Sequence, residues 1–401
     1  MMKHPILLIL LAGCLSCFAQ KKLVFGDRVY EPQIKTMQLF PDLSIEFDDL
    51  QDDRNNYYAR LIHCNYDWVK SSLQDLDFMP EYNEFTINEY AISNNIYPGY
   101  VHYRFQIPRV NIPGNYLLVI YRDGDKSDLI LSKRFFVADN QITLQKDNSI
   151  TGAGTLRSSN QQLNFIINYG NIEILNPLES VHVVIRQNQR WDNARMDVKP
   201  SFVRDDRNEL EYRFFDQDKH FTAGNEFRFV DFRSLRFPGQ NTGTLDRSVK
   251  PFQLTVQLDK PRTNQAYAQY SDLNGGYKIE NLDYGEPATS GNYVETIFTL
   301  HAPRSIEGEV FIIGAFNNWI REAENQMTYN SAKGVYESTL FLKQGLYNYE
   351  YSVESPQLPP DYFEGSHFET ENVYEVLVYY RPFRPNADLL VGYFLLPVNP
   401  R

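Results

Sequence analysis

Short runs of residues that alternate between apolar and polar, each cut off by turn formers, constrain this chain more than anything else in it. Val101, Tyr103, Phe105 and Ile107 fall on one face of an extended segment, with His102, Arg104 and Gln106 on the other. That is the pattern of an antiparallel strand with one face in a core. Comparable runs follow at 43–47, 57–66, 116–121, 163–169, 181–186, 210–215, 252–258, 294–300, 310–313 and 345–353. Pro113-Gly114-Asn115, Asp123-Gly124, Asn176-Pro177 and Asn274-Gly275-Gly276 separate them, and such residues set turns rather than continue strands. No long 3.6-residue period appears. An aromatic content of 14%, mostly Tyr and Phe, favours strands further. A chain of 401 residues is too long for one small core. The expectation is an all-β protein of tandem antiparallel β-sandwiches, immunoglobulin-like in type.

The runs divide into a first sandwich at 21–138, a second at 140–281, a third at 292–380, and a tail at 381–401. Pro113-Gly114-Asn115-Tyr116 resembles the entry to a sandwich F strand, with Tyr116 placed as a tyrosine corner. Residues 71–96 show neither period and read as a long connection. Before the first sandwich lies a leader at 1–19: Lys3 and His4 open it, an apolar run follows, and Ser16-Cys17-Phe18-Ala19 offers a cleavage site after Ala19. Leu11-Ala12-Gly13-Cys14 competes as a lipoprotein box with Cys14 as the acylated residue. Either reading exports the protein from the bacterial cytoplasm.

The stretch 225–237 stands apart. Phe227, Phe229, Phe232 and Phe237 interleave with Arg228, Arg233 and Arg236, so neither face of a strand is purely apolar. Buried guanidinium groups need partners. Either Asp231, Glu226 or acids of adjoining strands lock these arginines inside the fold, or Arg228, Arg233 and Arg236 form a cationic patch for a partner.

Chemical motifs are scarce. A net charge of -12 argues against nucleic acid and anionic lipid as partners. No segment after the leader is long and apolar enough to span a bilayer. The seven histidines include no metal-binding pair, and no Cys-x-x-Cys, nucleophile elbow or phosphate loop occurs. Asp123 to Asp128 resembles a calcium loop only faintly, since its sixth position is Asp128 rather than Gly. The acidic run at 48–53 reads as a solvated turn. Leader removal leaves Cys64 alone; His63 beside it on a strand would point to the opposite face, which excludes a dyad. No catalytic, metal or cofactor residues are identified, and no enzyme is expected.

Gly314-Ala315-Phe316-Asn317-Asn318-Trp319 and Gly345-Leu346-Tyr347-Asn348-Tyr349 resemble the glycogen-binding early-set immunoglobulin-like domains. The resemblance implies that fold for the third region. Of that family's sugar platform only Trp319 remains: Glu350 stands where a basic residue is expected, and no second Trp occurs around 355–358. An exported carbohydrate-binding protein is the alternative reading, with Trp319 as its weak site candidate.

Across a wider span the chain resembles the type IX secretion system plug protein family of Bacteroidetes. Residues 62–68, 100–105, 113–118, 189–194, 225–237 and 272–276 carry the likeness. It implies a periplasmic, non-enzymatic protein that occludes the periplasmic mouth of an outer-membrane β-barrel translocon, its partner. The family supplies no catalytic motif to carry over.

Overall fold

The computed structural model describes residues 26–51, 53–147, 158–214, 220–283 and 285–400. The leader at 1–19, with Cys14 and Ala19, lies outside them. The described chain is almost entirely β, with antiparallel pairing throughout except where Phe252–Val256, and Asp259 beyond it, run parallel to Tyr293–His301.

The first sandwich faces two sheets together. One runs Arg28–Val29, Leu129–Val137, Gly114–Arg122, Tyr57–Cys64 and Phe85–Thr86; the other runs Ile34–Leu39, Ser44–Asp49, Val101–Gln106 and Glu89–Ile92. Phe47 stacks on Tyr103 at 5.2 Å, and Tyr57 meets both rings edge-on. The alternation read from 101–107 is what buries Val101, Tyr103, Phe105 and Ile107 here. Tyr116 donates its hydroxyl to the Ile112 carbonyl four residues upstream at 2.5 Å, making the tyrosine corner that its Pro-Gly entry suggested. The aperiodic connection contains one short helix, Asp75–Phe78, and two short strands. It holds on through Asn83, whose buried amide takes the Leu61 N–H at 2.9 Å and returns a bond to the Leu61 carbonyl at 2.8 Å. One side chain thereby stands in for a missing ladder rung.

The next two sandwiches cross the divisions drawn from sequence. Val181–Gln187 pairs along its whole length with Asn372–Tyr380, from Val181↔Tyr380 to Gln187↔Tyr374. Leu389–Val398, within the supposed tail, is a ten-residue strand on the far side of Asn372–Tyr380. This sheet covers Thr143–Asp147, Asn164–Asn168, Glu209–Tyr212 and Phe202–Arg204. The physical reason lies in Val181–Gln187, almost wholly buried. Val183 and Ile185 enter the middle core, while Val184 faces outward with Leu377, Tyr379 and Leu390 onto Tyr66 and Phe136 of the first sandwich. A strand covered on both faces needs neighbours that are apolar on both faces, and Asn372–Tyr380 is such a strand.

The stretch 225–237 moves the other way. Arg228–Asp231 pairs with Gly345–Glu354, as does Tyr277–Ile279. The third sandwich therefore begins near residue 225. Tyr347, Tyr349, Tyr351 and Val353 share one buried face in its core with Val230, Phe232 and Phe298, as their spacing implied.

Candidate functional site

Three of the stretches that carry the plug-family likeness, 62–68, 189–194 and 272–276, are far apart in sequence but meet where the three sandwiches join. At the end of Tyr57–Cys64 the chain turns through Asn65 to Trp68, and Trp68 has a left-handed φ of 65°. At the end of Val181–Gln187 it turns again, with Asn188 at 50° and Gln189 at 62°. These two turns bring Trp68 edge-on to Trp191 at 5.0 Å. Tyr66 stacks on His182 at 4.2 Å. The C-terminal hairpin fastens the same seam: fully buried Asp388 receives the Tyr66 N–H at 3.0 Å and two bonds from Arg381, each 2.7 Å.

Two guanidinium groups flank the Trp pair. Arg186 lies 4.4 Å over the Trp191 ring and pairs with buried Glu375. Arg134 lies 4.8 Å over Trp68 and 5.7 Å over Trp191. Burial lowers the pKa of Arg134, a sign that this cation lacks full compensation.

Trp319 closes the other side of the junction. It is only 5% exposed. The Arg190 guanidinium sits 4.1 Å above its ring, and Phe227 packs at 5.4 Å. Gly275, with φ of +81°, lies so close that a Cβ there would stand 2.2 Å from the indole. Ring faces covered in this way leave no platform for a pyranose, and the sugar-site candidate is replaced by a packing role. Glu350, in the place of the expected basic residue, is the partner of Arg190 at 2.8 Å, and Asp192 takes the same guanidinium at 3.0 and 2.7 Å. Burial raises the Glu350 pKa, with Arg190 opposing. Burial alone would lower that of Arg190, but Glu350 and Asp192 hold it above its ordinary value. The middle and third sandwiches are thus joined by an ion pair seated on an indole.

Of the two roles open to the arginines of 225–237, the internal lock is what Arg228 displays. It is buried, pairs with Glu364 at 2.9 Å and Asp259 at 2.8 Å, and donates to the Lys260 carbonyl. Arg262 binds the same Glu364 at 2.6 Å. Burial would raise the Glu364 pKa, yet the two guanidinium groups hold it at about 2. Arg233 chelates Asp231 and reaches Glu280 at 2.8 Å. Arg236 is exposed. The three do not converge on one outward patch.

A second buried network joins the first sandwich to the third. Lys343, 2% exposed, meets Asp48, 1% exposed, at 2.6 Å. Tyr293 donates to the same oxygen at 2.5 Å, and His102 holds the other at 2.8 Å. Burial would lower the His102 pKa, but Asp48 and Glu46 raise it. Asp48 and Asp49 are therefore buried strand residues rather than a solvated turn. The alternation from Ser44 onward, continued two residues further, was the available signal; nothing pointed to Lys343.

His63 and Cys64 do face opposite ways. His63 packs on Tyr116 and Phe78, while Cys64 joins Trp68 and Leu117. Burial pushes the Cys64 thiol up to about 12 and His63 down to about 4. In protein lacking residues 1–19, Cys64 is expected to resist an aromatic disulfide reagent at pH 8 and to react fully once denatured. Rapid labelling of the native protein would contradict this burial.

Comparison with known proteins gives a family match to part of the chain and a structural likeness along most of it. Residues 21–139 match the model described as the type 9 secretion system plug protein 1st domain. A crystal structure of a hypothetical protein from Parabacteroides merdae superposes with a TM-score of 0.86 at 27% identity, over 93% of this chain and 99% of that one. No curated protein matches the chain.

Proposed function

We propose that this chain, whose residues 21–139 match the first-domain model of the type 9 secretion system plug protein, is a non-enzymatic periplasmic component of that system that occludes the periplasmic opening of its outer-membrane translocon. The family match carries this reading. The likeness to the Parabacteroides merdae protein extends along nearly the whole chain, so the family domain sits within a shared three-sandwich body. A stopper must resist deformation, and buried ion pairs at both inter-sandwich seams serve that end.

Loop tips of the first two sandwiches provide the contact surface in this proposal. Phe383 is 91% exposed, Leu76 83% and Leu175 72%. Their loops are tied side by side: Ser72 donates to the Asn386 carbonyl, and the Arg381 N–H to the Ser180 carbonyl. Large apolar side chains held at loop tips suit a small, releasable interface. Of the strip's arginines, exposed Arg236 beside Phe237 is assigned to partner contact, while Arg228 and Arg233 serve the internal lock.

Affinity-tagged protein purified from envelope extract is expected to bring down the translocon barrel. Phe383→Asp combined with Leu76→Asp is expected to abolish recovery while leaving the melting temperature unchanged. Failure to recover the barrel in any secretion state would sink the reading.

A further inference from the structure

We propose that the cleft at the meeting of the three sandwiches binds a carboxylate-bearing peptide segment, with Arg134 and Arg321 as its anion receptors. The cleft measures about 770 Å³, within the range of pockets that enclose a ligand of several residues. The first sandwich contributes Arg28 and Arg134 to its lining, the middle one Trp191 and Tyr393, and the third Asn274 and Arg321.

The charge pattern decides the ligand class. Three acids in the lining already hold cations: Asp192 with Arg190, Glu375 with Arg186, and Asp27 with Lys133 at 3.8 Å. Arg134 lies over two ring faces, and its buried Nε has no acceptor among the described residues. Nearby Asp27 takes the Arg134 backbone N–H at 2.6 Å and is the lining acid already paired with Lys133. Arg321 donates to the neutral Ser352 hydroxyl, at 3.1 and 2.8 Å. Exposed Glu354 is the one lining acid without an ion pair among the described residues. A half-buried guanidinium without a carboxylate is poorly compensated, and a carboxylate is the group its planar fork fits. In a protein of net charge -12, a local surplus of unpaired arginines is notable for its sign. Repulsion from distant acids is screened beyond about 8 Å at physiological salt.

A peptide fits better than a small inorganic anion. Leu273 and Leu395, 43% and 55% exposed, also line the cleft and offer apolar contact that an inorganic ion cannot use. Gln189 and Asn274 supply amides for a peptide backbone.

The chain contains three tryptophans, and Trp68, Trp191 and Trp319 all stand at this junction. Intrinsic fluorescence of the protein lacking residues 1–19 therefore reports occupancy directly. Titration uses hexaglutamate with an amidated C-terminus, a neutral Gly-Ser hexapeptide with a free C-terminus, and the same neutral peptide amidated. A saturable change is expected with one or both of the first two, and none with the third. Binding of amidated hexaglutamate assigns the site to acidic side chains; binding of the free neutral peptide assigns it to a chain terminus. Arg134→Met and Arg321→Ala should each weaken binding about tenfold or more. Arg321→Ala removes a side chain bonded to a single hydroxyl, so it separates lost binding from lost folding. The proposal is overturned if no carboxylate-bearing peptide binds, if the amidated neutral peptide binds equally well, or if both variants bind like the parent. Each outcome is independent of translocon recovery.

Discussion

Replacing Glu364 with Gln is expected to lower folding stability by about 3–5 kcal/mol. This carboxylate, 2% exposed, receives Arg228 through Nε, Arg262 through Nε and Nη2, and the Tyr351 N–H at 2.9 Å. The amide keeps the shape and removes the charge that neutralises two guanidinium groups. Asp259 is left to face them, and it already accepts the hydroxyls of Tyr349 and Tyr351 at 2.8 and 2.7 Å. Breaking a buried pair costs more than the pair is worth, because the surviving charge stays buried. Urea denaturation gives the measurement, with an unchanged m-value as evidence that the two-state description holds. Arg236→Ala, on the same stretch but exposed, serves as the contrast and should stay within about 0.5 kcal/mol. A loss under about 1 kcal/mol for Glu364→Gln would refute the lock.

Acid should act on the same group. The folded pKa of Glu364 is about 2, below its ordinary 4.5. A depressed carboxylate stabilises the fold above the unfolded value and loses that contribution as pH falls through the folded one. Between about pH 4.5 and 2 the parent should therefore lose roughly 3 kcal/mol that the Gln variant no longer has to lose. The two stability curves should converge toward pH 2.

What was legible in sequence was whatever repeats locally. Alternation from Val101 to Ile107 and from Tyr347 to Val353 announced strands and named their buried faces, because a period of two is a property of neighbouring residues. Tyr116 was legible because its Pro-Gly entry lies within three positions. The order of strands in space was not. Val181–Gln187 read as a strand but not as one that Asn372–Tyr380, nearly two hundred positions away, would pair with. The arginines of 225–237 displayed their need for acids, yet Glu364 carries no local mark of being the acid chosen. Trp319 is a similar case: its local motif belongs to sugar-binding domains, while Arg190 and Gly275, which cover the ring, come from distant turns. Buried pairs are chosen by tertiary geometry, and single residues opposite one another leave no period to read.

The Asp48–Lys343 network gives the other large effect. Lys343→Met and Asp48→Asn should each cost about 3–5 kcal/mol, and the double variant should cost less than their sum by up to about 3 kcal/mol. Lys343→Met strands Asp48 with His102 and the Tyr293 hydroxyl; Asp48→Asn strands the ammonium with the Ala288 carbonyl at 2.9 Å and the Tyr100 ring at 4.3 Å. Removing both charges leaves no orphan. Strict additivity would mean that the two residues act separately. Because the network spans the seam between the first and third sandwiches, the single variants should also speed amide hydrogen exchange in Ser44–Asp49 and Tyr293–His301 more than in the middle sandwich. His102 adds a pH dependence of known sign. Its pKa is raised in the fold by Asp48 and Glu46, against burial and the Lys343 charge. A raised histidine contributes fully below its unfolded pKa of about 6.5 and loses that contribution as pH climbs through the folded value. Protection along this seam should therefore weaken from about pH 6.5 upward, and His102→Gln should flatten the profile. A seam that tightened with rising pH would mean that the imidazole is not charged where it meets Asp48. A profile of the expected sign would place a pH-sensitive contact at the seam between the first and third sandwiches, apart from the Arg190–Glu350 pair that joins the middle and third.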